Sequence, residues 1–206
     1  EMQQCQAIIT PSTFCRTVFA DAGVTVPVFT IPLGINKLYQ PVERTEAGPL
    51  TFLAFIDRGL RKGGPTALQA FIAAFGDDMN YRLILKGRKS KIQAEILNPN
   101  VTLIQEDYSE EQLYELYKQC HVLINPHRGE GFGLLPREAS STGMVVLTTA
   151  WSGTADDLDH WGIGIDYKLV SADWAGHNMF SKMDLGQWAE VDCGALAEQL
   201  GDIADN

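Results

Sequence analysis

HVLINPHRGEGFGLLPREASSTG, residues His121 to Gly143, decides how this chain is read. Val122 to Asn125 is an unbroken apolar run ending in a polar residue, the pattern of a strand buried on both faces. Gly129 to Leu135 is a glycine-rich loop. A helix is expected from Pro136 onward, because proline has no N–H to leave unpaired at the first helical position. Gly131 and Gly133 let the backbone approach a neighbour with no Cβ in the way. A helix N-terminus presents unpaired N–H groups and a partial positive charge, which suits an anion such as a phosphate. Two carboxylates frame the loop: Glu130 opens it, and Glu138 is expected on the first helical turn, seven residues intervening.

Carboxylates aimed at a phosphate would repel it. They are acceptors only, and their paired oxygens match the two donors of a vicinal diol, as in a sugar or a ribose. The constellation therefore suits a phosphate flanked by hydroxyl-rich rings. Glu130-Gly131-Phe132-Gly133-Leu134, then Glu138-Ala139, Gly143 and Val145-Val146, resembles the E-x7-E signature of the retaining group 1 (family 4) glycosyltransferases. The resemblance implies that Glu130 contacts the donor sugar and that the loop amides of Gly131, Phe132, Gly133 and Leu134 contact sugar and diphosphate. It implies that Glu138 binds the ribose. It also implies a metal-independent site, with a nucleotide-diphosphate sugar as donor substrate and no cofactor.

With 206 residues the chain is long enough for a full core, and its 45% hydrophobic and 20% charged composition is that of a globular protein. No apolar run reaches the roughly 18–20 residues of a membrane span, and no signal peptide opens the chain. The four cysteines, Cys5, Cys15, Cys120 and Cys193, lack metal-ligand spacing and read as reduced, buried small residues. His121, His127, His160 and His177 are isolated in sequence and read as structural or exposed. A net charge of −10 argues against a nucleic-acid binder. Eight of the sixteen basic residues nevertheless lie between Arg58 and Lys91, which fits a local anion site on an acidic protein.

The flanking chain alternates strand and helix patterns. Gln6 to Thr10 and Val26 to Ile31 are strand-like runs around a helix capped by Ser12 or Thr13. Leu50 to Ile56 is the first strand of the main domain, followed by Arg58, Arg61, Lys62 and Gly63 and a helix near Pro65 to Phe75. By the resemblance, Lys62 and an arginine grip the donor diphosphate, with Arg58 and Arg61 both fitting that arginine. Tyr81 to Leu85 is a strand ending at Lys86, a departure from the small residue of the family that still faces the same crevice. Val101 to Ile104 is the next strand, and Ser109 with Gln112 forms a capping box for a helix carrying Leu113, Leu116 and Tyr117 inward. Met144 to Thr148 reads as a strand, Thr154 to Leu158 as the start of a helix, and Ile163 to Tyr167 as an edge strand. Ser171 to Gln187 has no clear period, and Cys193 to Ile203 closes the chain as a helix.

This alternation predicts an α/β fold, a doubly wound, Rossmann-like parallel sheet whose ligands bind beyond the strand C-terminal ends. The resemblance implies the C-terminal half of a GT-B fold. Residues 1–36 would be the last strand, helix and strand of an N-terminal acceptor domain with its linker, and residues 37–206 the nucleotide-sugar-binding domain. The expected function is transfer of a sugar, with retention, to a glycan, lipid or protein acceptor. Glu130, Lys62 and Arg58 would form the reacting centre, and Arg61, Lys86 and Glu138 would serve donor binding. Alternatives are a non-catalytic nucleotide-sugar-binding module or a nucleotide-sugar epimerase. A dinucleotide oxidoreductase would need Gly-x-Gly-x-x-Gly after an early strand, which this chain lacks. Its own N-terminal domain is an expected partner. The expected location is cytoplasmic, with peripheral contact at the inner face of a membrane allowed by the reading.

Overall fold

The computed structural model describes residues 4–44, 47–56, 60–89, 98–172 and 186–205. Arg58, Lys91, Trp174, His177, Phe180 and Met183 lie outside the described residues.

The chain opens with β1 (Ile8–Thr10), α1 (Thr13–Asp21) and β2 (Val28–Thr30). Ser12 caps α1, its hydroxyl accepting from the Cys15 amide, and satisfies one of the donors left free at a helix start. β1 and β2 pair in parallel and, among the described residues, form a separate two-stranded sheet. This small sheet leaves Ile9, Phe29 and Ile31 exposed, and α1 has no buried residue.

The body follows as β3 (Leu50–Phe55), α2 (Gly64–Phe75), β4 (Tyr81–Gly87), β5 (Val101–Gln105), α3 (Glu110–Lys118), β6 (Val122–Asn125), α4 (Leu134–Ser141), β7 (Val145–Thr149) and β8 (Ile163–Ile165). β9 (Lys168–Ser171), β10 (Gln187–Glu190) and α5 (Cys193–Ala204) complete it. Six strands form one parallel sheet in the order β5-β4-β3-β6-β7-β8, with β8 at the edge. Alternation along the strands divides the core into two layers. Phe52 and Ala54 pack with Phe71 of α2 and Leu196 and Leu200 of α5, while Leu53 packs with Leu116 and Tyr117 of α3 and Ala139 of α4. Burial of each such aromatic or aliphatic side chain contributes about 1.5–3 kcal/mol. The strand order reverses between β3 and β6. The connections that follow them therefore leave to opposite faces of the sheet, and a crevice opens between those connections.

Several boundaries differ from the sequence expectation. α4 begins at Leu134, capped by Gly133, so Pro136 is its third residue and Glu138 its fifth. Proline fits there because the third amide of a helix also has no acceptor within it. β4 runs on through Lys86 and Gly87. Thr154 to Leu158 does not open an α-helix; two short 3-10 turns, Ser152–Thr154 and Leu158–His160, take its place. β9 and β10, on either side of the aperiodic stretch, pair antiparallel as a hairpin.

A strap joins β2 to the body. Tyr39 is buried, and Arg44 donates to carbonyls at the ends of α3 and α4: Nε to Cys120 at 2.6 Å, Nη1 to Thr142 at 2.7 Å and Nη2 to Tyr117 at 3.2 Å. A cation among helix C-terminal carbonyls also opposes the helix dipoles. No helix among the described residues is long and apolar enough to cross a membrane.

Candidate functional site

The crevice at the strand-order reversal is a cleft of about 510 Å³ lined by Phe55 and Ile56 after β3, Lys86 and Gly87 of β4, Arg61 and Lys62, and Leu135 of α4. Asp107, Tyr108 and Leu113 also line it.

Lys62 belongs to a short 3-10 turn, Leu60–Lys62, just before α2. Gly63 follows with φ 70°, and a Cβ there would overlap the Pro126 carbonyl. Glycine is therefore required to bring Lys62 against the end of β6. The Lys62 ammonium lies 2.6 Å from Glu130 Oε1, and Arg61 Nη1 reaches the same oxygen at 3.1 Å. Arg61 Nη1 also donates to the Gly129 carbonyl at 3.0 Å. Burial pushes the Glu130 carboxyl up, but Lys62, and Arg61 behind it, outweigh burial and hold it below its ordinary value. Glu130 is thus a carboxylate held ionised by two cations at the edge of the cleft.

Glu138 is the opposite case. It is buried on α4 and has no cationic partner among the described residues. Burial, reinforced by the charge of Glu110, raises its pKa to about 7.

The loop between these carboxylates is held from behind. The Glu130 amide donates to Ser152 Oγ at 2.9 Å, and the Gly153 amide donates to the Glu130 carbonyl at 2.9 Å. Ser12 Oγ donates to the Gly131 carbonyl at 2.6 Å, so α1 touches the loop too. Gly133 has φ 78°, and a Cβ there would overlap the Thr154 methyl group. Thr154 in turn meets buried His127, whose Nε2 lies 2.8 Å from Thr154 Oγ1. The Thr154 hydroxyl proton goes to backbone carbonyls of Thr149 or Trp151, so Nε2 is the ring nitrogen that carries a proton. Burial lowers the His127 pKa to about 4, and its Nδ1 has no hydrogen-bond partner among the described residues. His127 is a neutral post behind the loop.

Among the described residues no hydrogen bond takes up the amides of Gly131, Phe132, Gly133, Leu134 and Leu135. Loop and helix start thus offer a run of free donors beside the cationic pair. The Phe132 ring is buried beneath the Arg137 guanidinium, 4.4 Å from its centroid, while Leu134 is exposed.

Lys86 lines the cleft as expected, yet its ammonium is already engaged. It donates to the Gly87 carbonyl at 2.7 Å and the Glu106 carbonyl at 2.5 Å, and lies 4.2 Å from the Tyr108 ring centroid. Burial lowers its pKa, against the pull of Asp107 and Glu106. Of the residues that the sequence puts at strand ends, Lys62 and Lys86 line the cleft together with Arg61, Glu130 meets Lys62 and Arg61 at its edge, and Arg58 lies outside the described residues. Sequence reasoning missed Ser12, Ser152 and Thr154 as the loop's supports; the glycines at Gly131 and Gly153 were their one visible signal, since they mark two backbones in close approach. Among the described residues no group of three or more His, Cys, Asp or Glu side chains is placed to hold a metal ion.

The family model for the glycosyl transferases group 1 matches residues 44–172, more than half of the chain. No curated protein matches it. Sucrose-phosphate synthase from Thermosynechococcus elongatus superimposes with a TM-score of 0.70 at 20% identity, covering 100% of this chain and 50% of that one. HepE from Anabaena, solved in complex with UDP and glucose, gives 0.72 at 14% identity, covering 98% and 54%. A glycosyltransferase from Rickettsia africae gives 0.71 at 13% identity, covering 97% and 53%. At such identities the likeness carries the fold alone, an α/β parallel-sheet domain matching the donor-binding C-terminal half of GT-B enzymes. The chain spans about half the length of these structures.

Proposed function

The chain belongs to the glycosyl transferases group 1 family, and from that premise we propose that it is the donor-binding half of a retaining glycosyltransferase that uses a nucleotide-diphosphate sugar. The observation that carries this reading is the crevice itself: Lys62 and Arg61 from one side of the strand reversal meet Glu130 from the other, beside the free amides of Gly131 to Leu135. In this reading the amides and Lys62, together with Arg58 or Arg61, bind the diphosphate. They stabilise the negative charge that grows on it as the glycosidic bond breaks. Glu130 accepts hydrogen bonds from donor-sugar hydroxyls, and Glu138 accepts from the ribose diol. Lys86 shapes the nucleoside end of the cleft through the carbonyls it holds. Charge compensation by Lys62 and the arginines makes the site metal-independent.

The Lys62–Glu130 contact adds an order of events. Before donor binds, Glu130 occupies the cation that the diphosphate needs. An arriving diphosphate takes over Lys62 and releases Glu130 toward the sugar. Diphosphate and sugar are then recognised in sequence by a single exchange of partners.

β1, α1 and β2 are, on this reading, the end of an N-terminal acceptor domain, with residues up to 36 including its linker, and 37–206 the donor domain. Their exposed apolar face, Ile9, Phe29 and Ile31, supports that reading. The acceptor is a glycan, lipid or protein. The four cysteines are free thiols, but only Cys120 is buried as the sequence suggested; Cys5 is exposed, and Cys15 and Cys193 are half-buried.

Calorimetric titration with UDP, GDP and ADP and their glucose and mannose derivatives, with and without a chelator, tests the proposal. One nucleotide should bind, its sugar derivative should bind more tightly, and chelation should change neither. Failure of all of them to bind, or affinity lost to the chelator, refutes it. Conversion of a nucleotide sugar to its epimer would replace transfer with epimerisation.

A further inference from the structure

The Lys62–Glu130 pair separates two clefts: Lys62 lines the one already described, Glu130 lines the other, and Arg61 lines both. The second measures about 360 Å³. We propose, resting on the donor-site reading above, that it is a carbohydrate subsite that holds a pyranose ring of a glycan acceptor, with Trp151 as its stacking surface.

Its walls come from three separate parts of the chain: Phe14 of α1, Trp151 after β7, and Gln187 and Trp188 of β10. Phe14 meets Trp151 edge-on with ring centroids 5.3 Å apart, and Tyr167 supports Trp151 from another side at 5.6 Å. Trp151 is thus fixed in orientation while remaining only half-buried. β10 is fastened to the motif loop as well. The Ala189 amide donates to the Arg128 carbonyl at 2.9 Å, Arg128 Nη2 pairs with Glu190 at 2.9 Å, and its guanidinium lies 4.6 Å from the Trp188 ring centroid. β10 lies beyond the residues 44–172 that the family model covers.

The chemistry of the lining selects the ligand class. Both arginines in its lining already face a carboxylate, Arg61 with Glu130 and Arg128 with Glu190, so a polyanion would have to displace a carboxylate to reach either one. A lipid chain would bury those charges and the Gln187 amide without replacing their hydrogen bonds, at a cost of kcal/mol per group. A pyranose satisfies both demands, since its flat C–H face covers an aromatic ring while its hydroxyls reach carboxylate, guanidinium and amide groups around the rim. Glu130 and Arg61 at the boundary put a ring in this cleft next to the sugar end of the donor site.

Tryptophan fluorescence and saturation-transfer NMR with maltotetraose, cellotetraose, mannotetraose and chitotetraose test the subsite on the whole chain. At least one should bind, with quenching. Trp151→Leu should weaken that binding about tenfold, whereas Trp151→Phe should retain most of it. Gln187→Ala, at an exposed strand position, should weaken it about threefold through one lost hydrogen bond. UDP or whichever nucleotide the parent binds should bind Trp151→Leu as before. The proposal is overturned if no tetrasaccharide registers, if Trp151→Leu and Gln187→Ala both bind like the parent, or if Trp151→Leu loses nucleotide and saccharide together. Saccharide binding by a parent that binds no nucleotide would leave the subsite standing and remove the donor-site reading instead.

Discussion

Glu130 and Glu138 are the same residue type in one motif, and the two regions around them impose opposite charge behaviour. Around Glu130 two cations crowd a single oxygen, and the carboxylate stays ionised despite burial. Around Glu138 there is burial and a second carboxylate, Glu110, and the pKa rises to about 7. Sequence spacing alone makes the two look equivalent. Their surroundings assign them different work: a fixed negative charge for the loop, and on the helix an acceptor whose strength depends on pH.

The contrast depends first on the backbone that separates them. Gly133→Ala would place a Cβ at positive φ and against Thr154. A loss of about 3–4 kcal/mol in urea-unfolding stability is expected from strain plus overpacking; a loss below about 1 kcal/mol would mean the loop relaxes freely. The next effect is the pH dependence of Glu138. Its folded pKa, about 7, exceeds the ordinary 4.5, so its contribution to stability is complete below pH 4.5 and disappears as pH rises toward 7. About 2–3 kcal/mol should be lost over that range, and Glu138→Gln should abolish the slope. Parallel stability profiles for parent and variant would end the contrast. Glu130, with its pKa lowered, contributes on the opposite limb, losing its share as pH falls below 4.5.

Lys62→Ala should weaken nucleotide-diphosphate binding by about 2 kcal/mol in calorimetry, the loss of a charge-assisted contact. Unchanged affinity in a folded variant would remove Lys62 from the site. The smallest effect sharpens the comparison most. Glu130→Gln removes the competitor for Lys62, so nucleotide alone should bind no more weakly, while the nucleotide sugar should lose about 1 kcal/mol. Equal losses for both ligands would show that Glu130 does not distinguish sugar from diphosphate.

The strand, loop and helix around Glu130 were legible because glycine, proline and an apolar run are local signals with local causes. The start of α4 was misjudged by two residues for the same reason, since proline is admissible throughout a first helical turn. Lys86 lines the cleft, but its partners are backbone carbonyls at Gly87 and Glu106, and the latter belongs to a different segment. Ser152 was the least legible. It sits at φ 64°, its hydroxyl accepts from the Glu130 amide and Gly153 after it fits against Gly131, contacts that no spacing encodes. The hairpin of β9 and β10 was hidden by the aperiodic residues between its strands.

Arg44, bound to three helix-end carbonyls just after buried Tyr39, sets a reach. Any separation of the β1–α1–β2 unit from the body must be spanned by the short run between the end of β2 and Tyr39. Fully extended, that run covers about 25–30 Å. The unit is therefore a leashed component: its effective concentration at the motif loop stays high even when Ser12 lets go of Gly131, and re-docking is a local search.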